Sequence, residues 1–98
     1  MNPFTIMKLV EKTYGLPAGS ICSAKRGKSR SEARAVAVHL CRMFTRMSFP
    51  ELAEMFLKDH SSLCSAAQTI RNTSIVEIKN IVEDLTTLIQ HKYIEVRA

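Results

Sequence analysis

The sequence predicts an all-α fold: a small helical domain that contains a helix-turn-helix. Three observations carry this expectation. The 98 residues hold only three glycines and three prolines. No segment sustains the period-2 alternation of a half-buried strand, whereas apolar residues recur at three- and four-residue steps along most of the chain. A chain this short buries one modest core, so a single domain over residues 1–98 is expected.

The first helix opens on Asn2 as N-cap with Pro3 at the first helical position, where its missing N–H is not needed. Ile6, Met7, Val10 and Tyr14 share one face, and Gly15 followed by Leu16-Pro17 ends the helix. A short helical turn over residues 18–22 would bring Ile21 inward. Residues 23–31, polar, basic and interrupted by Gly27, read as an exposed loop. A second helix, capped by Ser29 or Ser31, runs to about residue 46 on an apolar stripe of Ala33, Val36, Ala37, Leu40, Cys41 and Phe44. Arg34, Arg42 and Arg46 fall off that stripe and are expected to face outward.

Ser48 and Glu51 form the sequence pattern of a capping box, with Pro50 near the second position of a short helix that turns Leu52, Met55 and Phe56 inward. A tight connection at residues 57–59 leads to a helix over about 60–72. Its apolar stripe is Leu63, Ala66, Ala67 and Ile70, and its small polar face is Ser61, Ser62, Ser65 and Thr69. The C-terminal helix, 74–93, starts with a second capping-box pattern, Ser74 and Glu77. Its wide stripe of Ile75, Ile78, Val82, Leu85, Ile89 and Tyr93, broadened by Ile81 and Leu88, suits packing on the other helices. The alternative occupant of that stripe is a second copy of the chain, giving a homo-oligomer through this helix.

Charge is localised. Lys25, Arg26, Lys28, Arg30, Arg34, Arg42 and Arg46 are opposed only by Glu32, within a net charge of +5. Such a basic surface is the electrostatic footprint of a polyanion. Several classes are excluded. No apolar run is long enough to span a bilayer, and the N-terminus lacks a signal peptide, so no membrane partner is expected. Cys22, Cys41 and Cys64 are odd in number and widely spaced, which fits a reducing, cytoplasmic setting better than a disulfide framework. No Cys-x-x-Cys or His-x-x-x-His pair offers metal-ligand spacing with His39 or His60, so neither metal nor cofactor is expected. Asp59, His60 and Ser61 are consecutive, and neighbours on a helix do not face one another, so they cannot act as a hydrolytic triad; no enzyme activity is expected.

Residues 48–72 hold the functional pattern: short helix, tight turn, then a helix with a small polar outer face. In a helix-turn-helix the second helix enters the major groove while the first lies across the backbone. Small side chains let that helix approach base edges, and hydroxyls donate to phosphates or bases. Lys58, Asp59, His60, Ser61 and Ser62 cluster at its start, the end from which recognition helices read bases. Asp59 suits either an N-cap or acceptance from a cytosine amino group.

These residues resemble the C-terminal DNA-binding domain of the bacterial replication initiators of the DnaA family, across residues 6–70. The family's Arg-Gln-φ-Ala-φ-x-Leu helix start is matched by Arg34-Ala35-Val36-Ala37-Val38-His39-Leu40. Its Leu-Thr-x-x-Ser-Leu-Pro-Glu-Ile turn is matched by Phe44-Thr45-Arg46-Met47-Ser48-Phe49-Pro50-Glu51-Leu52. Its Arg-Asp-His-Thr-Thr-Val signature appears as Lys58-Asp59-His60-Ser61-Ser62-Leu63. The resemblance implies a Trp-repressor-like, DnaA domain IV-like fold and double-stranded DNA as partner, as in replication-origin box recognition. It implies that Arg26, with Lys28 nearby, enters a minor groove, and that Asp59, His60, Ser61 and Ser62 read the adjacent major groove. Pro50 would touch the DNA beside the turn, Arg42 would take the place of a backbone-contacting lysine, and Arg34 would match the helix-start arginine. Lys25, Ser48, Lys58 and Ser65 complete the candidate DNA-binding set. The implied target is an asymmetric A/T-rich box read by one copy, in the cytoplasm at the nucleoid.

The chain departs from the family where Leu57 replaces Gly-Gly before the signature, one residue shorter. Both signature threonines are serines, Gln68 and Thr69 replace basic residues, and Ala35 replaces glutamine. No Gly-x-x-x-x-Gly-Lys-Ser/Thr phosphate loop occurs, so the chain is expected to be the excised DNA-binding domain of an initiator or a stand-alone relative. Two alternative functions remain: a helical protein-interaction or dimerisation module with a basic docking face, and a DNA-binding regulator unrelated to replication initiation.

Overall fold

Local signals place the first helix where the sequence expects it. In the computed structural model, which describes residues 2–17, 19, 21, 28–56 and 58–97 (28, 29 and 92–97 by backbone alone), α1 spans Pro3–Tyr14. The Asn2 side chain accepts from the Phe4 N–H at 2.8 Å, and Gly15 takes the left-handed conformation at φ 67°. The Leu16 N–H reaches back to the Glu11 carbonyl at 2.8 Å, closing the helix end. Four more helices follow: α2 Lys28–Phe44, α3 Phe49–Phe56, α4 His60–Arg71 and α5 Val76–Arg97. No strand occurs among the described residues, and among them no helix is long and apolar enough to cross a membrane.

Helix α2 is the centre of the core. Ala33, Val36, Ala37, Val38, Leu40 and Cys41 are fully buried, and α1, α4 and α5 all pack against it. Its start differs from expectation. Residues 28–31 are helical rather than loop, because lysine, serine and arginine tolerate a helix even where no apolar face reports it. It also ends two residues early. The Thr45 hydroxyl donates to the Cys41 carbonyl at 2.6 Å and accepts from the Met47 N–H at 3.2 Å, turning the chain out of the helix.

Ile21 is fully buried as expected, and its N–H donates to Glu11 Oε2 at 3.3 Å. Glu11 is the one charged side chain buried among the described residues. Beside it, the Tyr14 hydroxyl donates to Glu32 Oε2 at 2.5 Å, tying α1 to α2. Burial, then the Glu32 carboxylate, pushes the Tyr14 phenol well above its ordinary value, so it remains a donor.

Helix α5 begins at Val76, not at Ser74. The Thr73 hydroxyl accepts from the Ile75 N–H at 3.2 Å, a local turn that holds 73–75 outside the helix and replaces the expected Ser74–Glu77 box. Ile75 and Val76 consequently stand in solvent. Ile78, Leu85 and Ile89 are buried, with Ile81 and Val82 partly so, and the helix packs on α1 and α2. Leu88 lies at the edge of this contact, 45% exposed. The Tyr93 side chain lies outside the described residues.

The two leucines make a direct stability comparison. Leu63, 1% exposed, packs in the core beneath α4. Leu63→Ala is expected to destabilise the fold by about 2–5 kcal/mol through the cavity it leaves. Leu88→Ala is expected to change it by no more than about 0.5 kcal/mol. Denaturant titration of both variants checks this, and equal losses would contradict the assigned core.

Candidate nucleic-acid interface

The connections on either side of α3 are assembled by local capping and by one stack of side chains between helices. The Ser48 N–H and hydroxyl both donate to Glu51 Oε1, at 3.2 and 2.9 Å, while the Glu51 N–H points back to the Ser48 hydroxyl at 3.4 Å. This is the capping box the sequence predicts, and it occupies the Ser48 hydroxyl. Helix α3 closes with the Lys58 N–H donating to the Ala53 carbonyl at 3.0 Å. The shortened connection at Leu57 itself lies outside the described residues.

Arg42 leaves the end of α2 and donates from Nη1 to the Met47 carbonyl at 2.8 Å. Its guanidinium carbon sits 4.6 Å from the centroid of the Phe49 ring, a cation–π contact. Phe49 in turn meets the His60 ring at 6.1 Å between centroids, tilted by 58°. His60 Nε2 lies 3.7 Å from the Cys64 sulfur. Arg42, Phe49 and His60 therefore connect the end of α2, the start of α3 and the start of α4. A predicted DNA-backbone residue and a predicted base-reading residue share one aromatic spacer.

Helix α4 separates its faces cleanly. Leu63, Ala67 and Ile70 are buried, whereas His60, Ser61, Ser62, Ser65 and Thr69 are exposed. Asp59 holds the N-cap position, and its carbonyl accepts from the Leu63 N–H at 3.2 Å, but its carboxylate makes no capping hydrogen bond. Of the two roles open to Asp59 in the sequence, the side-chain cap is not the one adopted. The exposed carboxylate stands beside His60 and the two serines.

Among the other predicted residues, Pro50 is exposed and Lys58 half-buried, and both sit by the turn. Arg34 does not face outward as expected. It is half-buried, and its Nε donates to the Ile21 carbonyl at 3.0 Å, supporting the segment that precedes the basic loop. It lies about 12 Å along α2 from Arg42, taking eight residues at the helical rise. Lys25 and Arg26 lie outside the described residues, as does the Lys28 side chain. Cys22 does too, so the cysteine reading rests on Cys41 and Cys64. Cys41 is buried, and burial pushes its thiol up to about 12; Cys64 is half-buried. No group of His, Cys, Asp and Glu among the described residues is placed to hold a metal ion.

Sequence reasoning missed Phe49, His39 and Arg71. His39 is half-buried between α2 and α4, and its pKa is lowered by burial first and by the Arg71 charge second. The folded state thus favours the neutral imidazole. Below about pH 6.5 the unfolded chain takes up a proton that the folded chain resists, so this residue lowers stability as pH falls. His39→Gln is expected to lose less stability than the wild type on acidification from about pH 7 to 5.5, measured by denaturant titration at each pH. Parallel curves would show that His39 titrates as it does in the unfolded chain.

Comparison with known proteins follows the same segment. The family described as bacterial dnaA protein helix-turn-helix matches residues 3–70. The chain is 36% identical over 70 residues to the chromosomal replication initiator protein DnaA of Tropheryma whipplei, covering 71% of this chain and 15% of that protein. It is 36% identical over 83 residues to the Geotalea uraniireducens protein of the same name, covering 82% and 18%. For the Wolinella succinogenes protein, also a chromosomal replication initiator protein DnaA, the identity is 34% over 91 residues, covering 89% and 21%. The chain thus spans 15–21% of the length of these relatives.

Proposed function

The chain belongs to the bacterial DnaA helix-turn-helix family, and from that premise we propose that it binds double-stranded DNA with a sequence preference, as in replication-origin box recognition. The start of α4 enters the major groove, where Asp59, His60, Ser61 and Ser62 meet base edges and Ser65 follows on the same helix. The basic segment before α2, with Lys25 and Arg26, and Lys28 at the start of that helix, reaches the adjacent minor groove. A narrow A/T-rich minor groove has enhanced negative potential, which favours a cationic side chain there. Arg42, Lys58 and the exposed Pro50 meet the sugar-phosphate backbone beside the turn. Arg34 and Ser48 act by supporting the loop and the α3 cap. A duplex partner puts the chain at the nucleoid, in the cytoplasm.

One observation carries this reading: the exposed, uncapped Asp59 carboxylate and the exposed His60 stand at the start of α4, while Arg42 is held against the same Phe49 ring. An interaction module needs neither a carboxylate withheld from its own helix nor small hydroxyls along the adjoining face. Small residues there let a helix come close to base edges.

The direct test is fluorescence anisotropy at fixed salt on an A/T-rich initiator box and a scrambled duplex. His60→Ala is expected to remove most of the preference between them, with little change in thermal midpoint. Arg26→Ala is expected to weaken box binding by about 1–3 kcal/mol while leaving folding intact. Wild type binding both duplexes equally, with neither variant changing that, would reduce the function to non-specific binding. A concentration-dependent mass without duplex binding would favour the interaction module.

Arg42→Ala is expected to behave differently. It removes a phosphate contact, so box and scrambled duplexes should weaken alike, and the salt slope should fall by about one unit. A loss confined to the box would contradict the backbone role.

A further inference from the structure

Beside the recognition helix runs a groove of about 570 Å3 between the end of α2 and the far half of α4, lined by His39, Arg42, Phe49, Cys64, Gln68 and Arg71. A second hollow of about 360 Å3 shares His39 and Arg71 with it and adds Ile70, Thr73, Lys79, Val82, Glu83 and Thr86. The two meet at His39 and Arg71, and their charged side chains are Arg42, Arg71, Lys79 and Glu83. Arg71 is exposed and in the last turn of α4. It is close enough to depress the His39 pKa.

Cys64, Gln68 and Arg71 line the groove from α4, and His60, which meets the lining residues Phe49 and Cys64, precedes them. His60, Cys64 and Gln68 are spaced by four, and Arg71 follows by three, so all lie in a row along one flank of the helix. The row is about 16 Å long at the helical rise, against about 3.4 Å per nucleotide along one DNA strand. It starts at a residue assigned to base reading and passes the groove that holds Arg42. A helix in the major groove has a phosphate wall along each flank, and this flank ends in a cation.

We propose that one strand of the bound duplex continues along this groove, and that Arg71 grips a phosphate beyond the reach of the turn. The groove then extends the interface past the residues the sequence identifies. It replaces the cations missing at Gln68 and Thr69 with one displaced toward the end of α4. The assignment rests on the duplex-binding reading above. Arg71 also complements the partial negative charge at the end of α4. That role affects stability, whereas a phosphate contact also affects the salt dependence of binding.

The test compares wild type, Arg71→Met and Arg71→Lys on labelled duplexes of about two helical turns, box and scrambled, at about 50 and 200 mM salt. Methionine keeps the apolar stem and removes the charge. The affinity advantage of wild type over Arg71→Met is expected to shrink about three- to fourfold between the two salts, on both duplexes, as for one lost phosphate contact. Arg71→Lys is expected to restore most of the slope. Wild-type slope in Arg71→Met, with duplex binding intact, overturns the groove assignment alone. Wild type that binds no duplex overturns the functional reading together with it. Loss of polyglutamate-peptide binding in Arg71→Met, with duplex binding unchanged, makes the groove a protein-docking site and likewise overturns the assignment.

Discussion

The burial of α2 constrains everything around it. From Ala33 to Cys41 only positions 34 and 39 are even half-open, and the remaining side chains are buried. Alanines at 33, 35 and 37, with Ala67 opposite on α4, keep the contact surfaces small. A helix buried on so many sides cannot place charge along its middle, because an unpaired ion there would lose its hydration. Its cations are therefore found toward the ends or, at Arg34, tied to a backbone carbonyl. At 17 residues α2 is about 25 Å long. The basic segment 23–27 precedes one end and the helix-turn-helix follows the other, so the core helix also sets the distance between the two proposed contacts.

At the far end of that helix, the same residues shape the turn and supply its charge. Arg42 is held by a carbonyl and an aromatic face, which limits the rotamers an exposed arginine would otherwise sample. Phe49 holds Arg42 on one side and meets His60 on the other. The shortened connection before Lys58 is thereby bridged by side chains: α4 is held at its first residue by an aromatic contact to α3, whatever the loop between them contributes. A ring at position 49 does more for this chain than fill an apolar turn position.

Features decided by near neighbours were legible in the sequence. The Asn2 cap, the Gly15 stop, the Ser48–Glu51 box and the buried rows of α2 and α4 each depend on residues a few positions apart. The start of α5 was misread because two local caps compete there. Ser74 with Glu77 fits the helical pattern, but Thr73 bonds the Ile75 N–H first. The start of α2 was misread because Lys28 to Ser31 have no apolar face to report. The stack of Arg42, Phe49 and His60 and the bond from Arg34 to the Ile21 carbonyl join separate elements, so no spacing rule shows them. The family resemblance supplied the candidate residues but could not show Phe49 as a spacer, since its pattern has leucine there.

The separation of faces on α4 has an evolutionary consequence. Leu63, Ala67 and Ile70 bear the packing, while Ser61, Ser62 and Ser65 are exposed. Exposed helix positions tolerate exchange at small energetic cost. The three serines can therefore be exchanged one at a time without the chain passing through an unfolded intermediate sequence. Position 49 is not free in the same way, because altering it disturbs two neighbours at once.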